Sequence, residues 1–372
     1  MNQQNYRRLI SGKSSGLSAS ILRFFLRIAA RVYSFVITLR HFLYDKKCLK
    51  VQQANAPVIS VGNITTGGTG KTPLVIWLYQ QIVQSAKCKV QNCGILTRGY
   101  KTTKNLKLKT QKYSDEPAIL VESCRGATVI VNPDRVAGAN EAVNKFGAKI
   151  LIMDDGFQHR RLARDLDIVI IDATVPFGYG KLLPAGLLRE PATSLKRADA
   201  VVITRCDQTT EAELTQLEDK LQQINPDMII ARSIHAPISA KSSVGKEIGL
   251  KQLKDKKVFA FCGIGNPDAF LNTITSLDVT LVGSKVYNDH YNFTDDCLYN
   301  IYEQASHLNA DLILTTKKDW FSSPLSTKQT SSDKPRAMSN EIPFAYLEIQ
   351  LKVISGEEKI TRLIEDALAG KI

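Results

Sequence analysis

Residues 57–73 read Pro57-Val58-Ile59-Ser60-Val61-Gly62-Asn63-Ile64-Thr65-Thr66-Gly67-Gly68-Thr69-Gly70-Lys71-Thr72-Pro73, and Leu74-Val75-Ile76-Trp77-Leu78 follow. The apolar run 57–61 predicts a short buried strand, and the second apolar stretch predicts a helix whose first turn suits Pro73. Between them lies a glycine-rich segment that ends in Lys-Thr. Such a loop turns backbone N–H groups toward phosphate oxygens at a helix N-terminus, with the lysine reaching the β/γ-phosphates and the threonine hydroxyl binding Mg²⁺. Thr65, Thr66, Gly67, Gly68, Thr69, Gly70, Lys71 and Thr72 are therefore the candidate nucleotide-binding residues, and Thr72 is also a candidate metal ligand. One departure is visible: the first glycine of the general G-x-x-x-x-G-K-T pattern falls at Thr65.

Carboxylates follow apolar strands twice. Residues 149–156, KILIMDDG, predict a buried strand ending in Asp154 and Asp155, the form in which a strand-end carboxylate holds Mg²⁺ directly or through water. Residues 167–172, DIVIID, form a second such strand ending in Asp172, and on pattern alone either one fits. Further strands are predicted near 92–97, 127–131, 199–204, 227–231, 257–262, 279–283 and 311–316, with helical stretches between most of them. This alternation predicts an α/β fold of P-loop NTPase type, a mostly parallel sheet flanked by helices, with ligands at the carboxyl ends of its strands.

The chain of 372 residues carries a net charge of +13 and is 44% apolar, enough for two domains with separate cores. The charge is concentrated. Residues 1–50 hold ten Lys/Arg and one acid, a net +9, which leaves +4 for the remaining 322 residues. A nucleic-acid partner, which calls for basic residues spread along a groove, is disfavoured.

From Leu17 to Tyr44 the chain has helical spacing without proline or internal glycine. Arg23, Arg27 and Arg31 share one face of that helix and apolar residues cover most of the rest. Such an amphipathic helix favours the headgroup boundary of an anionic bilayer, and the alternative is a helix packed on the protein's own core. A membrane span needs about 20 mostly apolar residues, whereas only eight separate Arg31 from Arg40. Arginines also interrupt any signal-peptide core. Seven scattered cysteines without a C-x-x-C pair suit a reducing compartment and argue against a zinc site.

Three nucleotide-binding classes compete. Thr316-Lys317-Lys318-Asp319 fits the guanine-reading T-K-x-D pattern, but the D-x-x-G partner is missing because position 153 is Met. A partition-type ATPase would carry a lysine at position 66, which is Thr. A small-molecule kinase meets no contradiction. The alternative from another class is a nucleotide-switched, membrane-associated binding protein.

Taken together the motifs resemble the tetraacyldisaccharide 4′-kinase family of the lipid A pathway. The resemblance runs in one order through VGNITTGGTGKTP (61–73), LTRGY (96–100), SDEP (114–117), DDGFQHRRLARDLDIVIID (154–172), GYGKLLPAGLLREP (178–191), RADAVVITR (197–205), FCGIGNP (261–267), NDHYNF (288–293) and LTTKKD (314–319). Thr65 in place of the loop glycine is this family's habit. The chain departs from family usage at Lys101, Ser114, Leu187 and Lys317.

The resemblance implies transfer of the ATP γ-phosphoryl group, with Mg²⁺, to the 4′-hydroxyl of an anionic glycolipid, tetraacyldisaccharide 1-phosphate, giving lipid IVA. It implies peripheral attachment to the lipid surface at the cytoplasmic face of the bacterial inner membrane. No protein partner can be inferred. It implies an N-terminal docking helix (1–50), a P-loop core domain (51–236) and a smaller C-terminal α/β domain (237–372) that closes over the nucleotide. Carried over by motif, Asp115 and His290 are the catalytic pair, and Asp154 and Asp155 organise the metal. Glu190 is a further metal candidate or an ion-pair support for its loop, and Arg98, Tyr100, His159 and Arg189 are substrate or supporting candidates. Residues 322–342 predict an exposed loop before a final strand and helix.

Overall fold

A computed structural model describes residues 3–85, 92–99, 115–242, 246–326 and 342–369. In chain order its elements are α1 (Gln3–Ile10), α2 (Leu17–Asp45), β1 (Val58–Asn63), α3 (Lys71–Gln84), β2 (Cys93–Thr97), α4 (Asp115–Ser123), β3 (Thr128–Val131), α5 (Arg135–Phe146), β4 (Ile150–Asp154), β5 (Leu166–Asp172) and β6 (Ala200–Thr204). There follow α6 (Glu211–Ile224), β7 (Ile229–Ser242), β8 (Glu247–Gly249), α7 (Leu250–Leu253), β9 (Lys257–Cys262), α8 (Pro267–Thr275), β10 (Thr280–Val286), α9 (Asp295–His307), β11 (Leu312–Thr316), α10 (Lys317–Phe321), β12 (Phe344–Ser355) and α11 (Glu357–Leu368).

The described residues form two compact units. The first holds the chain up to 99, Leu120–Ile234 and the residues from Leu351 onward; the second holds 115–119 and His235–Gln350. In the first unit the strand order is β7-β6-β5-β1-β4-β2-β3, every pair parallel. Strands β1, β4 and β5 are buried on both faces, which is why they read as unbroken apolar runs rather than alternating ones. Because β4 and β5 flank β1, the acids at their carboxyl ends lie on either side of the loop that leaves β1. The second unit orders its strands β10-β9-β11-β12, again parallel, with Ser239–Lys241 of β7 pairing antiparallel to β8.

The division differs from the expected 51–236 and 237–372 at the C-terminus. Leu351, Val353, Ile360, Ile364 and Leu368, from the end of β12 and from α11, are buried in the same core as Leu74, Leu78 and Ile82 of α3. The last twenty or so residues thus complete the first unit, because the apolar stripe of α11 finds its partners there. Of the predicted exposed loop, Ser323 and Leu325 are instead buried, and 327–341 lie outside the described residues.

The N-terminal segment forms two helices that belong to the first unit rather than a separate domain. On α2 the large apolar side chains Phe24, Phe25, Val32, Phe35, Val36, Leu39 and Phe42 are all exposed, Phe35 to 68%. Toward the body α2 buries Ala19 and Ala30, half-buries Leu26, Ile37 and Leu43, and sets Tyr33, Arg40 and His41 in polar contact with it. The helix therefore rests on the body by one face and leaves its phenylalanines in solvent. Among the described residues no helix is long and apolar enough to cross a membrane.

Since Ile360 is fully buried in the shared core, Ile360→Ala is expected to cost about 2–5 kcal/mol of stability. The exposed Ile354, mutated to Ala, is expected to cost no more than about 0.5 kcal/mol. Denaturant midpoints check both.

Candidate active site

The loop after β1 bends at Gly67 (φ 115°) and at Gly70 (φ 99°), the residue before α3, positions where a side chain would be strained. Its backbone is tied from three directions. The Thr66 N–H donates to the Leu187 carbonyl (2.8 Å), the Thr204 hydroxyl to the Thr69 carbonyl (2.9 Å), and the Arg205 guanidinium to the Gly68 carbonyl (2.7 Å). The Asn63 amide donates to the Thr69 hydroxyl at 2.8 Å. Thr65 is buried and bridges Leu188, with the Arg189 N–H donating to the Ile64 carbonyl next door (2.7 Å). The LREP segment thus runs alongside the position where the general pattern has glycine.

The two acidic strand ends differ in what they hold. Asp172 forms a buried ion pair with Arg205 and accepts from the Thr174 hydroxyl (2.7 Å) and N–H (3.1 Å). It steadies Arg205, and through Arg205 the loop at Gly68. Asp155 instead points at the loop lysine. Its Oδ1 is 3.6 Å from Lys71 Nζ, and the Arg189 guanidinium grips both of its oxygens at 2.6 and 3.2 Å. Burial pushes the Asp155 carboxyl up, but Lys71 and Arg189 outweigh it and hold the group well below the usual carboxylate range. Asp155 takes a positive φ of 53° to make that reach. Asp154, buried one residue earlier, accepts from the Thr97 hydroxyl at 3.3 Å, and its carbonyl accepts from Arg135 at 3.1 Å.

Glu190 is 1% exposed and enclosed by donors: Gln158 on one oxygen, Arg197 (2.9 Å) and His41 (3.2 Å) on the other. Burial pushes it up, yet the bonds from His41, Arg197 and Gln158 bring it down to about 2. Both of its oxygens are engaged by these side chains. His159 is half-buried, with burial and then Arg135 and Arg164 driving its imidazole down to about 4, so it stays neutral at neutral pH. Arg98 is exposed just past β2. Tyr100 lies outside the described residues.

In the second unit, Asp115 opens α4, and its side chain lies outside the described residues. The next residue, Glu116, has its carboxylate 3.7 Å from Lys318 Nζ. Lys318 in turn sits 3.1 Å from Asp289 and 3.3 Å from His290 Nε2. His290 is exposed, with a positive φ of 57° and its N–H donating to the Gly263 carbonyl at 3.1 Å. The fold thus brings the start of α4 and the D-H-Y segment, 174 residues apart in sequence, to one cluster.

The T-K-x-D pattern has a local explanation. Thr316 caps α10, accepting from the Asp319 N–H (3.0 Å) and donating to its carboxylate (2.7 Å). Asp319 is fully enclosed, and burial lifts it to about 6. Lys317, a departure from family usage, pairs with Glu348 at 3.1 Å.

The model of the tetraacyldisaccharide-1-P 4′-kinase family matches residues 22–369. The chain belongs to that family. It is 34% identical over 333 residues to the tetraacyldisaccharide 4′-kinase of Halothermothrix orenii, covering 84% of this chain and 85% of that one. With the Chlorobaculum parvum enzyme of the same name it shares 33% identity over 371 residues, covering 96% and 98%. Among solved structures, LpxK from Aquifex aeolicus in complex with ATP superposes with a TM-score of 0.67 at 28% identity, covering 93% of this chain and 99% of that one. This family member is accordingly a kinase with a P-loop NTPase-like fold.

Sequence reading missed Arg205, Arg197, Gln158 and Asn63, although RADAVVITR and DDGFQH contain three of them. The signal available was their place inside specific motifs; their partners are visible only in three dimensions.

The ordinary value for His159 is 6.5 and its folded value is near 4, so the unfolded chain binds the proton first as pH falls. Stability present above pH 6.5 is therefore lost on descending toward pH 4. His159→Gln is expected to flatten that part of a plot of Tm against pH, and an unchanged slope would contradict the assignment.

Proposed function

We propose that this kinase transfers the γ-phosphoryl group of ATP to the 4′-hydroxyl of tetraacyldisaccharide 1-phosphate, giving lipid IVA, while attached peripherally to the cytoplasmic face of the bacterial inner membrane. The observation that carries the reading is the Lys71–Asp155–Arg189 group set on the phosphate loop. Lys71 and the N–H groups of Gly67, Gly68, Gly70, Lys71 and Thr72 receive the nucleotide phosphates, those of Thr66 and Thr69 being engaged by the Leu187 and Gly67 carbonyls, and Arg189 keeps a second cation at the same point.

Mg²⁺ fits the donor set. The Thr72 hydroxyl and the carboxylates of Asp154 and Asp155 are hard oxygen donors at the end of β4 and the start of α3, the kind that hold this ion together with substrate phosphates. When bound, it neutralises charge that develops on the phosphoryl oxygens.

The acceptor hydroxyl needs a base, and His290, oriented by Asp115, takes that role. As the hydroxyl oxygen bonds to the γ-phosphorus and the bond to the β-phosphate oxygen breaks, the hydroxyl proton passes to the imidazole and ADP leaves. Glu116 beside Lys318, and Lys318 beside His290, support this placement of α4. The exposed apolar face of α2 with Arg23, Arg27 and Arg31 supports the membrane reading, since each basic residue near an anionic surface adds about 1 kcal/mol.

The test is transfer of labelled γ-phosphate from ATP-Mg²⁺ to tetraacyldisaccharide 1-phosphate in mixed micelles. Wild type is expected to label the lipid; hydrolysis of ATP with no labelled lipid would instead favour a nucleotide-switched binding protein. Lys71→Ala is expected to lower turnover by about 10²-fold or more. His290→Ala and Asp115→Ala are each expected to lower kcat by about 10²–10⁴-fold with little change in ATP affinity. Near-normal turnover in both would remove the pair.

A further inference from the structure

The turns of α2 that expose Val32, Phe35, Val36 and Leu39 also reach the phosphate site. The Tyr33 hydroxyl donates to the Arg189 carbonyl at 2.7 Å, and the Arg40 guanidinium donates to the Gln158 carbonyl at 2.8 Å. His41 Nε2 is 3.2 Å from the Glu190 carboxylate. On the other side of the ring, His41 Nδ1 lies 3.3 Å from an Arg160 nitrogen and 3.4 Å from an Arg197 nitrogen, both of which only donate. The ring proton therefore belongs on Nε2, which faces the Glu190 carboxylate in a close polar contact short of ideal hydrogen-bond geometry.

The Tyr33 and His41 contacts fall on two consecutive residues, Arg189 and Glu190. Arg189 grips Asp155, and Asp155 faces Lys71; Glu190 is the buried anion that holds Gln158 and Arg197 in place. A continuous series of polar contacts therefore leads from α2 to the loop lysine, all within one unit. Since Glu190 is almost wholly buried, the loss of one of its donors is not made good by water.

We propose that Tyr33 and His41 are positioning residues for phosphoryl transfer: α2, the membrane-docking helix, clamps the Arg189–Glu190 segment and so keeps Arg189, Asp155 and Lys71 aimed at the nucleotide phosphates. The proposal rests on the phosphate-loop reading above. It makes the docking helix part of the site's scaffold, so that loosening the clamp slows turnover even when membrane attachment is intact.

The test uses the full-length protein with three variants, His41→Leu, His41→Gln and Tyr33→Phe, the last of which removes a single oxygen and is expected to fold. Turnover is measured in mixed micelles at saturating lipid and ATP-Mg²⁺, alongside lipid KM, ATP affinity, and binding to vesicles containing anionic phospholipid. His41→Leu and Tyr33→Phe are each expected to lower kcat by about tenfold, with lipid KM, ATP affinity and vesicle binding within about threefold of wild type. His41→Gln, which keeps an N–H near the position of Nε2, is expected to recover most of the loss. Wild-type kcat in both His41→Leu and Tyr33→Phe would overturn the clamp, as would a fall in vesicle binding that matches the fall in kcat, or no recovery with His41→Gln. If wild type hydrolyses ATP without labelling lipid, the proposed acceptor fails, and the hydrolysis rate of the same variants then reads the clamp with the same expected and contrary results.

Discussion

The Asp155 carboxylate is shared between Lys71, on the first turn of α3, and Arg189, from the LREP segment. A glycine-rich loop carries little conformational preference of its own, because the residues that let it bend also let it wander. Two cations converging on one partly buried anion supply the missing constraint. Their attraction outweighs the cost of burying the carboxylate, as its depressed pKa records. The neighbouring ties from Thr204, Arg205 and Leu187 fix the loop's backbone, whereas the Asp155 group fixes the direction of its lysine.

That arrangement explains why so many specific motifs surround one short loop. Each supplies a piece whose value depends on the others. VGN leads into the loop, DDGFQH provides Asp155 and Gln158, LREP provides Arg189 and Glu190, and the RADAVVITR strand ends in Arg205. The order β6-β5-β1-β4 sets their sources side by side at the carboxyl ends of parallel strands. α2 adds an outward apolar face. Hydrogen bonds from Tyr33 and Arg40 tie it to the body, and its phenylalanines stay exposed.

Some of the site was legible in residue order. The Lys-Thr after three glycines and the acids after KILIM carry their chemistry in spacing a few residues long, and local patterns survive translation into sequence. Asp172 was not separable from Asp155 on that basis, since both end apolar strands. Arg205 captures one and Lys71 with Arg189 the other, from residues far along the chain. Glu190 sits among His41, Gln158 and Arg197, neighbours that its own motif does not name. Thr316-Lys317-Lys318-Asp319 matched a guanine-reading pattern because a capped helix start uses the same residue types at the same spacing.

Alternation of apolar runs with helical stretches determined the α/β class, the glycine loop determined the phosphate site, and the charge imbalance singled out the N-terminal helix. These are local properties, set by periodicities of two and 3.6 residues and by backbone freedom at glycine. Only the tertiary structure decided that α11 returns to the core of the first unit, that α2 turns its apolar side outward, and which acid faces the loop lysine. Each of those outcomes depends on burying one face or pairing one charge against residues distant in sequence, and the free energy of such pairings belongs to the folded arrangement rather than to any segment of the chain.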